Sequence, residues 1–264
     1  MYEDETIKFW SSYSHNDLVA RCAVLHQQRR ALTNDKFGAQ IMGARLAISH
    51  IFLKGKGVEV GAGSRPFPIP STAQCFYGDI RDSVELNKYF KIDGLSVDGW
   101  IDAQTMQGVR KESLDFLISA HVIEHLLDPI GAIRVGIESL KPGGILLLVV
   151  PELTQTFDRR RPPTTLEHLI QDSIDGGVST REFAYIEHCK YVHPEITGNS
   201  FSDDEVVAHA KAGIANKMDI HVHAWRYIDI IELLQYCSTE FGFSIEANFS
   251  NLNENLFALR RNFN

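Results

Sequence analysis

The sequence predicts an α/β fold, a mostly parallel sheet with helices on both faces. Three stretches carry that prediction. Gly57-Val-Glu-Val-Gly-Ala-Gly63 reads as a short buried strand running into a Gly-x-Gly turn. Leu114-Asp-Phe-Leu-Ile-Ser-Ala120 reads as a second buried strand. Ile145-Leu-Leu-Leu-Val-Val150 is an almost unbroken apolar run, the pattern of a strand covered on both sides.

The composition fits a folded domain of this kind. Hydrophobic residues make up 44% and charged residues 23% of the 264-residue chain, which is ordinary for a globular protein. A net charge of −8 argues against a general nucleic-acid binder. The longest apolar run is far too short to span a bilayer. The acidic start, Met1-Tyr-Glu-Asp-Glu5, lacks the basic-then-apolar pattern of a secretory signal. Cysteines stand at 22, 75, 189 and 237 with no C-x-x-C pair. Reduced thiols and a cytoplasmic location are therefore expected.

Residues 1–54 read as a helical cap. Leu18, Ala20, Cys22, Val24 and Leu25 share one apolar-rich segment. Ile41, Ala44, Ala47, Ile48 and Ile51 recur at helical spacing. These helices are expected to cover the sheet. Residues 55–151 form the core. In it Gly61 and Gly63 permit a sharp turn with close backbone approach to a ligand. Pro66 stands where a dinucleotide fingerprint would need its third glycine, and no P-loop Lys follows.

A second short strand, Cys75 to Tyr77, leads to Gly78-Asp79. A carboxylate at a strand's carboxyl end can accept ribose hydroxyls. Its structural alternative is a cap for a helix over 82–90. Residues 95–102 suggest a third strand followed by Asp102-Ala103. Asp102 there either accepts from an adenine amino group or caps a turn. The fourth strand, Leu114 to Ala120, delivers His121-Val-Ile-Glu-His125 to the cleft. Pro129 opens a helix that runs from Ile130 to Leu140. Lys141-Pro-Gly-Gly144 supplies glycines for a left-handed helix cap before the fifth strand.

Val58-Glu-Val-Gly-Ala-Gly63, Gly78-Asp79, Asp102-Ala103, Ser119-Ala-His-Val-Ile-Glu-His125 and Leu140-Lys-Pro-Gly-Gly144 occur in a fixed order. In that order and spacing the chain resembles class I S-adenosyl-L-methionine (SAM)-dependent methyltransferases of the type 11-like kind. The resemblance implies a Rossmann-like sheet of seven strands, the last antiparallel. It also implies SAM as cofactor and S-adenosyl-L-homocysteine as product. Glu59, Gly61, Ala62, Gly63, Asp79, Asp102, Ala103 and His121 would then hold SAM.

Residues 152–224 read as an inserted substrate region after the fifth strand. Residues 225–264 read as a helix and terminal β-hairpin that complete the core. Thr164 and Glu167 have capping-box spacing, and either Thr164 or Thr165 can cap a helix. Phe157-Asp-Arg-Arg-Arg-Pro-Pro-Thr-Thr-Leu-Glu-His-Leu169 is similar to the Phe-Asp-x-x-Arg-Pro-x-Thr-x-x-Glu-His-Leu segment of a methyltransferase subfamily. That subfamily is associated with surface-polysaccharide and glycan genes.

Transfer to a non-acidic hydroxyl usually needs a base, and the chain holds 11 histidines. His121, His168 and His223 are the base candidates; His121 lines the cofactor site in the alternative role. Arg159 and Arg161 can clamp an anionic acceptor through forked donors, with His168 beside them, or belong to a solvated charge run. His221 and His223 share one face if their stretch is extended, and a third group from His188, His193 or Asp219 would make a metal site. Ordinary hydrogen-bonded histidines are the alternative, and no metal is assigned. The expected reaction is methylation of a hydroxyl on a small polar acceptor, for example a sugar, nucleotide sugar or glycan precursor. An N-methyltransferase of a small molecule or peptide, or a SAM-binding non-catalytic partner subunit, is the alternative.

Overall fold

Seven strands form one sheet in the order β3-β2-β1-β4-β5-β7-β6. They are β1 (Gly55–Val60), β2 (Ala73–Asp79), β3 (Gly99–Trp100), β4 (Leu114–Ala120), β5 (Leu140–Pro151), β6 (Phe243–Asn251) and β7 (Glu254–Arg261). β1 through β5 pair in parallel, and β7 runs antiparallel to both β5 and β6. A computed structural model describes residues 36–263. The segment around Leu18 to Leu25 lies outside them.

The period of two along each strand divides the apolar residues between two cores. Val58, Val60, Leu117, Leu146, Leu148, Val150, Phe257 and Leu259 face one side. There they meet α3 (Pro129–Ser139), α4 (Leu166–Asp175) and α8 (Tyr227–Phe241) through Ile133, Leu169 and Leu233. Phe116, Ile118, Ile145, Leu147, Val149, Leu256 and Ala258 face the other side, against Ile48 and Leu53 at the end of α1 (Lys36–Phe52) and Phe67. β5 is buried without a break from Ile145 to Pro151 because both cores cover it.

α1 covers the sheet as expected, but its buried face differs from the apolar pattern. Ile51 is exposed, while Arg45, Ile48 and Ser49 are buried. The reason is electrostatic: Arg45 answers the buried Glu254 through two hydrogen bonds, at 3.1 and 2.6 Å.

α2 (Ser83–Phe90) is capped by Asp82, whose side chain accepts from Glu85 N–H while Glu85 answers back. The cap is thus not Asp79. α3 ends one residue earlier than expected: Leu140 turns extended and pairs with Leu114. Of the two glycines that follow, only Gly143 is left-handed, at φ 79°. Phe263 packs where a Cβ at Gly143 would sit. The third strand shrinks to Gly99–Trp100. α4 is capped by Thr165, whose hydroxyl accepts from His168 N–H. Thr164 does not make the capping box; it is buried and accepts from Ala224 N–H instead.

The chain after β5 builds a small second core. α5 (Arg181–Glu187) and α7 (Asp203–Ala215) pack around Tyr185, Cys189, Val206, Ala210, Ile220 and Val222, and the short α6 (His193–Thr197) lies between them in sequence. Among the described residues no helix is long and apolar enough to cross a membrane.

Candidate active site

Parallel pairing brings the carboxyl ends of β1, β2, β4 and β5 to one rim of the sheet. Ligands of open α/β sheets bind at this rim. At the end of β1 the chain turns through Gly61 and Gly63, at φ 64° and 54°. A Cβ at Gly61 would lie 2.8 Å from Val122 Cγ2, and one at Gly63 would lie 2.7 Å from the Phe90 ring. Both positions need glycine for backbone conformation and for space. The turn forms a side-chain-free cradle of backbone at this rim.

Glu59 does not open onto that cradle. It is 1% exposed, and both carboxylate oxygens accept from Phe67 N–H, at 3.0 and 2.9 Å. Burial pushes its carboxyl up to about 8, against the opposing pull of that hydrogen bond and of Arg45. Glu59 therefore fixes the loop that follows the cradle.

Asp79 ends β2, buried, with Oδ1 accepting from Arg81 N–H at 2.9 Å. Burial raises its carboxyl above the ordinary range. Asp102 accepts from Gln104 N–H at 2.8 Å and from the Thr105 hydroxyl at 2.9 Å, so both of its oxygens brace the turn. Ala103 packs against the core beside that turn.

His121 follows β4 with φ 56°, a left-handed backbone unusual for a side-chain-bearing residue. Residues in such conformations concentrate at functional sites. Its Nε2 lies 3.1 Å from Glu254 Oε2, and its Nδ1 lies 3.6 Å from Glu124 Oε1. Burial alone would lower its pKa, but the two carboxylates outweigh burial and push it up to about 9. The ring is an imidazolium at neutral pH, which suits lining and charge balance better than proton abstraction. Glu254 and Arg45 were not visible as site residues in the sequence. Glu254 opens the last strand, 133 residues away from His121, and nothing local marks it.

Glu124 sits in the turn after β4 and is fully buried. Among the described residues neither of its carboxylate oxygens has a hydrogen-bond partner. His121, His125 and His221 surround it. Burial, the largest influence, would raise its carboxyl, but the three imidazoles hold it below the ordinary range. His125 Nδ1 lies 2.8 Å from Asp219 Oδ1, and His221 Nδ1 lies 2.6 Å from Asp158 Oδ2. The two rings meet edge to face, with centroids 4.8 Å apart. Sequence reading placed Glu124 and His125 on this turn, but it gave no sign of the pairing with His221. The one available signal was the His-x-x-Glu-His spacing itself.

His221 and His223 do not form a joint pair. The backbone N–H groups of Val222 and His223 both donate to Glu124 O, at 2.7 and 3.0 Å, and the two imidazoles part around that anchor. His223 is wholly buried against Trp225 and His168. Burial pushes its pKa down to about 3, so it is neutral and shielded from solvent. His168 is partly exposed and lies 3.1 Å from Asp172 Oδ2 on its own helix.

Arg161 is turned inward rather than toward an open acceptor site. It is 4% exposed, and all five N–H donors are engaged. They reach Glu187 Oε2 from Nε and Nη2, Asp158 Oδ1 and His221 O from Nη1, and Val222 O from Nη2. Its fork locks the segment that carries His221. Arg159 remains on the surface, where it and Arg160 pair with Glu195.

A family model described as a methyltransferase domain matches residues 26–211. Among solved structures, the CurJ carbon methyltransferase aligns over 80% of this chain and 49% of its own, at 16% identity and TM-score 0.41. The chain thus spans about half of that protein's length. A SAM-dependent methyltransferase from Thermotoga maritima, described as a possible histamine N-methyltransferase, aligns over 90% and 96% at 14% identity and TM-score 0.48. No curated protein matches. The family match covers most of the chain, the sheet has the expected seven strands with the last antiparallel, and the glycine turn stands at the rim where ligands of such sheets bind. By these observations the chain belongs to the methyltransferase domain family, and its cofactor is S-adenosyl-L-methionine.

Proposed function

We propose that this methyltransferase methylates a hydroxyl oxygen of a small polar acceptor, such as a sugar, nucleotide sugar or glycan precursor. The observation that carries the oxygen assignment is the set of imidazoles around Glu124 at the carboxyl end of β4. A neutral amine offers its lone pair directly, whereas a hydroxyl must shed a proton to become a good nucleophile.

When bound, SAM supplies an electrophilic methyl group on a sulfonium sulfur. The backbone of Gly61, Ala62 and Gly63 cradles it, and Asp79 accepts the ribose hydroxyls. Asp102 and Ala103 border the adenine. Glu59 acts through the loop it ties to Phe67. His121 lines the site as a cation between Glu124 and Glu254. The acceptor hydroxyl lies against the imidazole–carboxylate array, which eases the loss of its proton. Arg159 meets an anionic part of the acceptor at the rim, and the insertion's polar side chains set acceptor choice.

The test uses SAM carrying a labelled methyl group and a panel of sugars, nucleotide sugars and small amines. Label recovered on a sugar hydroxyl supports the reading, and label only on amine nitrogen overturns it. Calorimetry on Asp79→Ala checks the ribose contact. A loss of SAM affinity of 10-fold or more is expected from an Asp that accepts two hydroxyls, by about 1.4 kcal/mol per tenfold. Unchanged affinity removes that role.

A further inference from the structure

We propose that Glu124, His125 and His221 bind one divalent first-row transition cation, with an open coordination position for an oxygen of the acceptor. One ligand atom from each of the three residues lies within 4.8 Å of the others. Glu124 is fully buried, yet among the described residues neither oxygen is hydrogen-bonded. A buried carboxylate in that condition calls for a cation. His121 Nδ1 at 3.6 Å and His125 Nε2 at 4.0 Å balance its charge without hydrogen-bonding it, so its lone pairs stay free for a cation. The gap between Glu124 and His125 is of the size a metal ion closes.

The surroundings are built as metal sites are. Each ligating histidine of such a site usually donates its other ring N–H to a carboxylate, which fixes the tautomer and aims the lone pair inward. Asp219 and Asp158 hold this position on His125 and His221. They are themselves held in turn, Asp219 by Arg81 and the Tyr89 hydroxyl, and Asp158 by Arg161. The Val222 and His223 N–H groups, donating to Glu124 O, lock the two stretches together. Two imidazoles and one carboxylate suit Zn²⁺, Mn²⁺, Fe²⁺ or Co²⁺, and three protein ligands leave positions open. His125 and His221 are partly exposed, so those positions are reachable. A second grouping, His168, Asp172 and His223, also has metal-binding spacing. There His223 and Asp172 are both fully enclosed, and His168 alone reaches the surface.

An ion here would bind the acceptor oxygen and lower its pKa, with the imidazoles serving as ligands and not as free bases. That half of the proposal rests on the methyl-transfer reading; metal binding does not. The experiment strips the full-length protein with a chelator and titrates it with Co²⁺ while recording the visible spectrum. One Co²⁺ per chain with ligand-field bands is expected. Glu124→Gln and His221→Ala should abolish the bands, and Asp172→Asn should leave them unchanged. Asp219→Asn, at a partly exposed position, should weaken Co²⁺ binding by roughly 10–100-fold while the circular dichroism of the fold persists. Absence of the bands, or bands lost in Asp172→Asn and kept in Glu124→Gln, overturns the site. Acetohydroxamate, a simple oxygen ligand, should shift the spectrum; no shift means a closed site and overturns the acceptor half. Neither readout requires methyl transfer, so failure of the acceptor reading and failure of the metal site are separable.

Discussion

Glu59 holds the backbone of Phe67 by a single N–H shared between its two carboxylate oxygens, at 3.0 and 2.9 Å. One donor is poor compensation for a carboxylate 1% exposed in the sheet core.

That imbalance predicts a pH dependence of stability. Burial raises the Glu59 pKa from 4.5 to about 8, so the folded state holds a proton that the unfolded state has lost in between. The stabilisation is complete below about pH 4.5 and disappears as pH rises through about 8. Glu59→Gln keeps an acceptor for Phe67 and removes the titration. Its Tm relative to the natural protein should rise across that window by roughly 5–10 °C, for a few kcal/mol in a chain of this size. Thermal melts between pH 5 and 9 check this, and a difference that stays constant with pH contradicts it.

The cradle glycines predict a separation of binding from stability. Gly61→Ala and Gly63→Ala put a methyl group 2.8 Å from Val122 Cγ2 and 2.7 Å from the Phe90 ring. Gly94 is also left-handed, at φ 88°, but nothing lies within 4 Å of its would-be Cβ. All three variants bear a backbone cost of about 1 kcal/mol, and the first two add the clash with Val122 or Phe90, so the SAM titrations are run where each variant is still folded. Only the first two should lose SAM affinity, by 10-fold or more. Calorimetric titration with SAM measures this; equal affinities in all three would mean the turn does not contact the cofactor.

Arg161 predicts a large loss of stability. Arg161→Ala leaves Glu187, Asp158 and the carbonyls of His221 and Val222 buried without their donor. Breaking such a buried network costs about 3–5 kcal/mol. Arg161→Lys keeps the charge but lacks the fork, so it should recover only part of that. Urea denaturation decides; a change under about 1 kcal/mol for Arg161→Ala would place the network outside the folding core.

The parts of the fold legible in the sequence were those written in local pattern. Ile145 to Val150 announced a strand buried on both faces, and Gly61 and Gly63 announced the turn. The seven-strand count and the antiparallel last strand rested on the family resemblance, and the order of neighbours was not legible, since spacing alone does not choose them. The site was legible where the sheet's rim dictates position, as for Asp79 and His121. It was not legible where distant side chains meet. Arg45, His121 and Glu254 converge from the first described helix, the fourth strand and the last strand. Arg161 looked like an acceptor clamp because its forked donors stand just past the fifth strand. Its neighbour Asp158 and the distant Glu187 supplied the charge that drew it inside. His221 and His223 looked like partners because alternation would put them on one face. Their N–H anchoring to Glu124 O is a tertiary fact that no periodicity encodes.

That anchoring makes the returning segment behave like a key cut for one depth. Val222 is the buried tooth between two imidazoles that serve different clusters. Length changes in the exposed loop around Asn199 and Ser200 leave the fit untouched. Deleting a single residue between the helix ending at Ala215 and His221 is different. It would pull the segment one position along and present Val222 to Glu124, turning a charged pocket apolar without altering any residue in it.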